Sequence, residues 1–488
     1  MNGSSLSGGD LVKVPYTISE ETTRITSPLR ADGTPDYVAA LNEKYGKGVT
    51  ADNNGFVSWL ELVGTNMNVA ETGRGKLLEL LGRKDLPAEA GDWQRYDEFL
   101  TARGITEKDA QKLQEEFEKL SRTLWKGTEH PMAWAYLGDI SRQRMMEKFV
   151  EAAEKPRWWA PAVSANGRMM SMLIPGLGST REAASVMSAQ ATLEAANGQF
   201  ESFERHVVAL KRLGLHLGSC PTVIERIRGA GVDWTADNVI GAAAGSGALS
   251  EAQCKKLDAQ LQGLGVFPEM TETVDVGERW EMLDLVTMCA GGETESLRQF
   301  VAKRDGGNPL RGLDAAAVDW NVALQEINRM TDRTLAALKM PTLKEMYDGG
   351  GALEKDAKLW EEGLKKGDGL EKRAGESRAD YSRRVAQGIL VLYWTSLMHA
   401  EEMRRRSVLL DQMVHMLLAA GQVKAQTGKW PAALGELVPG MLKEVPRSLY
   451  PKESPEELTY TVTEQGARIS MKVDIRTIGV GVEPIGRG

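Results

Sequence analysis

The chain is poor in the residues that build ready-made reactive centres, with only 3 cysteines and 5 histidines among 488 residues. Cys220, Cys254 and Cys289 are too few for a disulfide framework, and none has the Cys-x-x-Cys spacing that a zinc site or redox pair requires. No two of His130, His206, His216, His399 and His415 stand four apart around a glutamate, which excludes the zinc-protease signature. Acidic residues outnumber basic ones, 68 to 60, so no global positive field exists for gripping nucleic acid. Long apolar runs are also missing: "GILVLYWTSLM" at 388–398 is too short, and too closely flanked by Arg383, Arg384 and Glu401, to span a bilayer. The polar opening "MNGSSLSGGD" lacks the charged and apolar regions of a secretion signal.

Helix signals fill the space between. In "TEKDAQKLQEEFEKLSRTLW", Leu113, Phe117, Leu120 and Leu124 share a face behind Thr106 as N-cap. "STREAASVMSAQATLEAAN" opens with Ser179 and Glu182 at capping-box spacing and carries a stripe of Val186, Ala189, Leu193 and Ala196. Gly198 suits a left-handed helix end; Phe200, Phe203, Val207 and Leu210 then form a matching stripe that Gly214 is expected to stop. Two stripes joined by so short a turn must face each other, as in a tetratricopeptide-like hairpin. The unit is not echoed at a fixed period. Further helices are expected at 221–244 (started at Ser219 and Pro221), 250–264 (Ser250 with Gln253), 277–290, 316–338 and 353–366. A long helical pattern from about 378 to 427 has a polar middle, "HAEEMRRRS", marking a bend or an exposed stretch.

The fold class expected is therefore mainly α: an irregular α-solenoid followed by a long helix and a small C-terminal α+β tail. Residues 1–35 form a flexible N-terminal segment, 36–366 the solenoid-like body, 367–377 a linker, and 378–488 the long helix and tail. "YDGGGALEK" and "KKGDGLEKRAGESRAD" read as exposed loops. In the tail, "ELTYTVTEQGARISMKVDI" alternates around Gln465 and Gly466 and predicts a β-hairpin.

No motif assembles a reaction. "PGLGSTREAAS" offers Gly176, Gly178 and Ser179 at a helix start but no lysine, so it reads as a loop and cap rather than a phosphate cradle. "GAAAGSGALS" lacks the Gly-x-Ser-x-Gly elbow. Cys254 lies in line with Leu257, Leu261 and Leu264, which makes it a buried thiol. His206 and His216 read as surface or helix-end histidines. Arg404, Arg405 and Arg406, the strongest basic run, read as a solvated helix face. Trp158 and Trp159 in "KPRWWAPAV" stand between prolines, where one indole can be buried while the other is displayed, either as packing or as a recognition patch. These five residues are the candidate interaction surface; no catalytic, cofactor-binding or metal-ligating residue is assigned.

Two resemblances add to this reading. In "GKWPAALGELVPGMLKEVP", Gly428, Trp430, Pro431, Leu434, Leu437, Val438, Pro439, Leu442, Val445 and Pro446 resemble the segment after the long helix of type II pseudopilins. The continuation "RSLYPKE" replaces that family's Asp-Pro-aromatic step. "ITSPLRADGTPDYVAALNEKYGKGVTADNN", "EHPMAWAYLGD", "EKPRWWAPAV" and "RLGLHLGSCPTVIERIRG" are similar, in that order, to a large family of uncharacterised proteins from planctomycete-type bacteria. The resemblance implies the periplasmic side of the cell envelope, with membrane association only through an anchor that this sequence lacks. The function expected is a non-enzymatic scaffold or assembly protein presenting helical surfaces to protein partners or to itself. A hydrolase or small-ligand enzyme, with a pocket between body and tail lined by tryptophans and scattered acids, is the alternative.

Overall fold

The computed structural model describes residues 14–64, 71–85, 94–293, 310–350, 359, 362, 369–390, 395–445, 458–473 and 476–482. The expected helix at 353–366 and the "RSLYPKE" segment lie almost wholly outside the described residues. The chain is mainly helical with a small C-terminal antiparallel sheet. In order, the helices are α1 Tyr37–Gly46, α2 Gly55–Val63, α3 Glu71–Leu80, α4 Tyr96–Ala102, α5 Glu107–Leu120, α6 Pro131–Leu137 and α7 Ile140–Glu154. There follow α8 Leu177–Ala196, α9 Phe200–Gly218, α10 Val223–Ser246, α11 Glu251–Leu264, α12 Arg279–Ala290, α13 Trp320–Leu338, α14 Arg378–Leu390 and α15 Thr395–Thr427. A two-stranded ribbon pairs β1 Val163–Ser164 with β2 Met172–Leu173; β3 Thr459–Thr463, β4 Gly466–Val473 and β5 Arg476–Gly481 form the tail sheet in sequence order.

Four apolar clusters organise these elements among the described residues, three of them large and a smaller fourth of Val223, Met270, Val274, Leu338 and Met346. Trp59, Phe99, Tyr136 and Phe149 anchor the first, between α2, α4 to α7 and the α8–α10 layer. Leu283, Trp320, Ile327 and Tyr381 anchor the second, together with Tyr16 and Tyr37. The third joins Phe203, Ile240, Leu257, Leu410 and Met413 to Ile469 and Val480 of the sheet. α8, α9 and α10 belong to the first and third, so they are the shared wall of the molecule.

The α8–α9 hairpin turns at Gly198, whose φ of +72° explains the glycine. Its details differ from the reading above. α8 begins at Leu177, and Ser179 Oγ donates to the Gly176 carbonyl instead of starting a capping box. α9 runs through Gly214 to Gly218, because that glycine serves packing. A Cβ at Gly214 would lie 2.9 Å from Asp233 Cβ, and one at Gly229 would lie 2.6 Å from the Gly218 nitrogen. The crossing of α9 and α10 thus brings two backbones together where side chains cannot fit. α10 is started by Thr222, whose hydroxyl accepts the Glu225 N–H, and not by Ser219; Ser250 and Gln253 cap α11 as expected.

The chain order does not give neighbour-only stacking, which is what a regular repeat array produces. Thr17 N donates to Asn321 Oδ1 at 2.8 Å, and Arg24 Nε to Asn328 Oδ1 at 3.1 Å. Residues 14–35, expected to be flexible, are therefore fastened along α13, with Thr22 and Thr23 buried. Of the expected linker, residues 371–375 are exposed as read, while Leu370 is buried, its N–H donating to the Arg311 carbonyl at 2.6 Å and its carbonyl accepting the Tyr381 hydroxyl at 2.7 Å. Tyr347 to Gly350, read as a loop, are helical within 343–350, where the Thr342 hydroxyl accepts the Glu345 N–H at 3.0 Å.

The tail hairpin is present, with Gly466 paired to Thr463, and a third strand that the sequence reading missed pairs β5 to β4. The sheet rests directly on α10. A Cβ at Gly245 would lie 2.4 Å from the Ala467 carbonyl oxygen, and one at Gly241 would lie 2.7 Å from Val480 Cβ. Among the described residues, no helix is long and apolar enough to cross a membrane.

Gly229→Val places a branched side chain against the α9 backbone. It should lower unfolding free energy by roughly 1–3 kcal/mol, measured by urea denaturation, whereas Gly231→Val, with open space at its Cβ, should cost less than half as much.

Candidate functional site

The five residues expected to form an interaction surface do not come together as one. Trp158 and Trp159 are half-buried in an extended strap, residues 156–162, that two asparagines clamp. Asn54 donates to the Trp159 carbonyl and accepts its N–H, both at 2.9 Å; Asn42 does the same for Ala162, both at 2.8 Å. The Trp158 ring packs at 6.0 Å on Phe56, 6.2 Å on Trp59 and 5.9 Å on His216. Trp159 covers Gly46, where a Cβ would lie 2.8 Å from the indole. Both indoles pack on neighbouring side chains while remaining half-buried.

The arginine run is not a solvated face. Arg404 donates twice to Glu401, at 2.8 and 2.7 Å, and Arg405 donates once to the same carboxylate at 2.8 Å. Arg405 also reaches the carbonyls of Leu338, Met340 and Pro341, capping the C-terminus of α13. Arg406 is buried and pairs with Glu402, which also accepts the Tyr347 hydroxyl at 2.7 Å. The helix is continuous through this stretch, because glutamates one turn earlier neutralise the arginines and let the polar middle pack inward.

A larger buried network lies where α9, α10 and α15 meet. Lys211 Nζ stands 2.8 Å from Asp233, 2.9 Å from Asp237 and 2.9 Å from Asp411. Its side chain is 3 % exposed, and those of Asp233 and Asp237 are 2 % and 0 %. Burial opposes the ammonium charge, but the three carboxylates outweigh it and hold the Lys211 pKa well above its ordinary value. Burial pushes Asp233 and Asp237 upward. Asp411 goes the other way: hydrogen bonding from His415 and Lys211 overcomes burial and brings it to about 2. Ser407 donates to Asp233, and His415 pairs with Asp258 at 2.6 Å and with Asp411 at 3.6 Å. His206, expected at the surface, is also buried, against Glu194 at 2.7 Å. These contacts tie three helices together, and Asp237 Oδ2 is left buried without a hydrogen-bond partner among them.

A cleft of about 550 Å³, lined by both arginines and acids, opens between α4, α5, α8 and α10. That volume is within the range of small-molecule sites, roughly 300–1,000 Å³. Tyr96 and Phe117, stacked at 4.5 Å, lie in its wall, with Arg95, Arg122, Arg181, Glu182, Ser185 and Thr235 around them. Glu182 is the cleft carboxyl whose protonation is shifted. Burial pushes its carboxyl up to about 7, and Arg95, whose Nε is 3.9 Å away, only partly offsets this. A carboxyl poised there donates or accepts a proton at neutral pH, as general acid–base work requires. The sequence showed Glu182 only as half of a capping box; the arginines arrive from three separate segments, so no linear motif signals the site.

The expected pocket between body and tail is not where this cleft lies, since the sheet sits backbone to backbone on α10. Among the described residues, no group of three or more histidines, cysteines, aspartates or glutamates is placed to hold a metal ion. The three cysteines are buried and unpaired, and burial pushes the Cys254 and Cys289 thiols up to about 12.

Two pH dependences follow. Hydrogen bonds to Asp258 and Asp411 overcome burial and raise His415 to about 9. Its stabilisation is complete below the ordinary value of 6.5 and is lost as pH rises through 9. Urea midpoints should therefore fall between pH 6.5 and 9 by an amount worth on the order of 2–3 kcal/mol, and His415→Gln should flatten that slope. Glu182 acts in the same direction over a lower window. Its raised pKa makes the folded state bind more protons than the unfolded one between 4.5 and about 7, so stability falls across that window as the charge forms. Glu182→Gln should remove this decline and raise stability at pH 8 by about 1 kcal/mol, with the wild-type titration visible near pH 7 by carboxyl-selective infrared or NMR.

Compared with known proteins, the chain matches no protein-family model, no curated protein and no solved structure.

Proposed function

We propose that this protein is a non-enzymatic scaffold or assembly protein of the cell envelope, which offers a helical surface to protein partners or to copies of itself. Trp134 carries the proposal. Its side chain, on α6, is 56 % exposed, and Ile140, at the start of α7, is 68 % exposed. Tryptophan is among the residue types most enriched at binding hot spots, and exposing so large an apolar group to water is unfavourable unless a partner covers it. Beside it is a cleft of about 230 Å³ lined by Phe117, Leu120, Pro131 and Met132, which can receive an apolar anchor from the partner. The likeness of residues 428–446 to the segment after the long helix of pseudopilins, and of other stretches to a family of uncharacterised proteins from planctomycete-type bacteria, supports the location. The tetratricopeptide-like character we propose is confined to the α8–α9 hairpin.

A second reading, a hydrolase or small-ligand enzyme, is favoured by one observation: a carboxyl with a near-neutral pKa, Glu182, lines a cleft large enough for a small molecule.

Native mass and cross-linking mass spectrometry test the first reading. The expected result is a defined assembly with cross-links near Trp134, lost in Trp134→Ala while the melting temperature moves by no more than about 2 °C, since the indole is mostly in water. A clean monomer, or an assembly that Trp134→Ala leaves intact, would sink it.

A further inference from the structure

We propose that two copies of this chain pair through the free edge of the tail sheet, β3 against β3, antiparallel about a two-fold axis at Thr461. The sheet order is β3, β4, β5, and among the described residues no strand lies on the outer side of β3. The close contacts that seat the sheet on α10 are made by Ala467, Val480 and Gly481, which belong to β4 and β5. β3 takes no part in them: Thr459, Thr461, Val462 and Thr463 are exposed, Val462 by 44 %. An edge strand presents a row of unpaired N–H and C=O groups, and natural edges are blunted by a charge, a proline or a bulge. "TYTVT", residues 459–463, has neither charge nor proline, and its one-to-one pairing, from Thr459 with Ser470 to Thr463 with Gly466, leaves no bulge. Nothing in the strand turns a further strand away.

Backbone direction and side-chain order both select a second copy as that strand. The Ala467 carbonyl accepts the Val482 N–H at 3.1 Å, so the backbone groups of Ala467 turn toward β5. Val462, directly opposite Ala467, therefore makes a non-hydrogen-bonded pair with it and turns its own N–H and C=O to the outer edge, as does Tyr460 two residues earlier. Centring the pairing on Thr461 sets Tyr460 of each copy opposite Val462 of the other. The outward groups then meet, and each pair exchanges both of its bonds. A shift of one residue would set outward groups against inward ones. The side chains agree with this register, because Thr-Tyr-Thr-Val-Thr offers the same kinds of residue in either direction. Threonine meets threonine on one face and tyrosine meets valine on the other, both favoured cross-strand pairs. Tyr460 packs against the third core, so its opposite valine gains an aromatic neighbour for surface that is now in water. A two-fold axis makes an interface face itself, which sets any charge near its own copy; the strand has none to oppose that.

The proposal rests on the scaffold reading's self-assembly, but it uses a different element from Trp134, and the test separates the two. A five-residue edge is short, so the dimer should depend on concentration, visible by sedimentation equilibrium of the full chain at up to about 1 mM. Val462→Pro, which removes an outward N–H and leaves the ladder to β4 intact, should weaken association at least about tenfold with the melting temperature unchanged. In Thr461→Cys the two α-carbons at the axis should lie about 4.5 Å apart, within the span of a disulfide. With the native thiols buried, that variant should give a disulfide-linked dimer in air at least tenfold faster than Thr463→Cys, whose copies stand away from the axis. Equal linking of the two cysteine variants, or a proline variant that associates like the wild type, would overturn the pairing. Cross-links from β3 to a different protein in cells, in place of a second copy, would also overturn it. If association survives Val462→Pro but is lost in Trp134→Ala, the edge pairing falls and the scaffold reading stands. A monomer at every concentration ends both.

Discussion

A lysine with three carboxylates in the dry interior is the constraint on which the rest of the structure depends. An uncompensated ammonium or carboxylate at that depth costs several kcal/mol, so Lys211, Asp233, Asp237 and Asp411 have to be assembled together. They come from α9, α10 and α15, elements as much as 200 residues apart. Satisfying the charges therefore fixes the register of three helices at once. Buried ion networks often stabilise no more than apolar side chains of the same volume, but breaking one by removing a single partner costs about 3–5 kcal/mol. We read this one as a register device: it admits one arrangement of α15 against the α9–α10 pair and penalises the others.

Everything peripheral hangs on that junction. The glycines of α9 and α10 bring the two backbones close enough for Lys211 to reach across, and further glycines on α10 let the tail sheet rest on the helix. The first and third cores share α8, α9 and α10, so the N-terminal helices and the C-terminal sheet are coupled through the same wall. Polar side chains do the remaining fastening. Asn42 and Asn54 clamp the tryptophan strap, Arg405 closes the end of α13, and Arg30 and Arg168 meet on Asp284. The cleft differs in holding the Glu182 carboxyl half-buried with only Arg95, 3.9 Å away, to offset its burial, which costs stability when the carboxyl is charged.

Much of the local structure was legible in the sequence. Thr106, Ser250 and Gly198 mark helix ends by chemistry that acts within four residues, and the alternation around Gly466 makes a hairpin for the same local reason. Gly214 was misread because a glycine signals a helix end and a close crossing equally well, and only the position of α10 distinguishes them. The arginine run was misread because charge suggests solvent unless the partner's burial is known. Two visible clues were not used: Lys211 falls beside Leu210 on the apolar side of α9, and Asp233 and Asp237 stand one turn apart in a helix otherwise rich in glycine, alanine and valine.

By itself, then, the sequence determined that the chain is mainly helical, where several helices begin or end, and that the tail holds a hairpin. Those properties depend on neighbours a few residues away. Tertiary structure alone decided that Trp158 and Trp159 pack on neighbouring side chains, that Arg404 to Arg406 meet carboxylates, that Lys211 finds three acids, and that Glu182 lines an open cleft with Arg95 beside it. Burial and charge pairing are set by groups tens to hundreds of residues distant, and no periodicity or spacing along the chain encodes that distance.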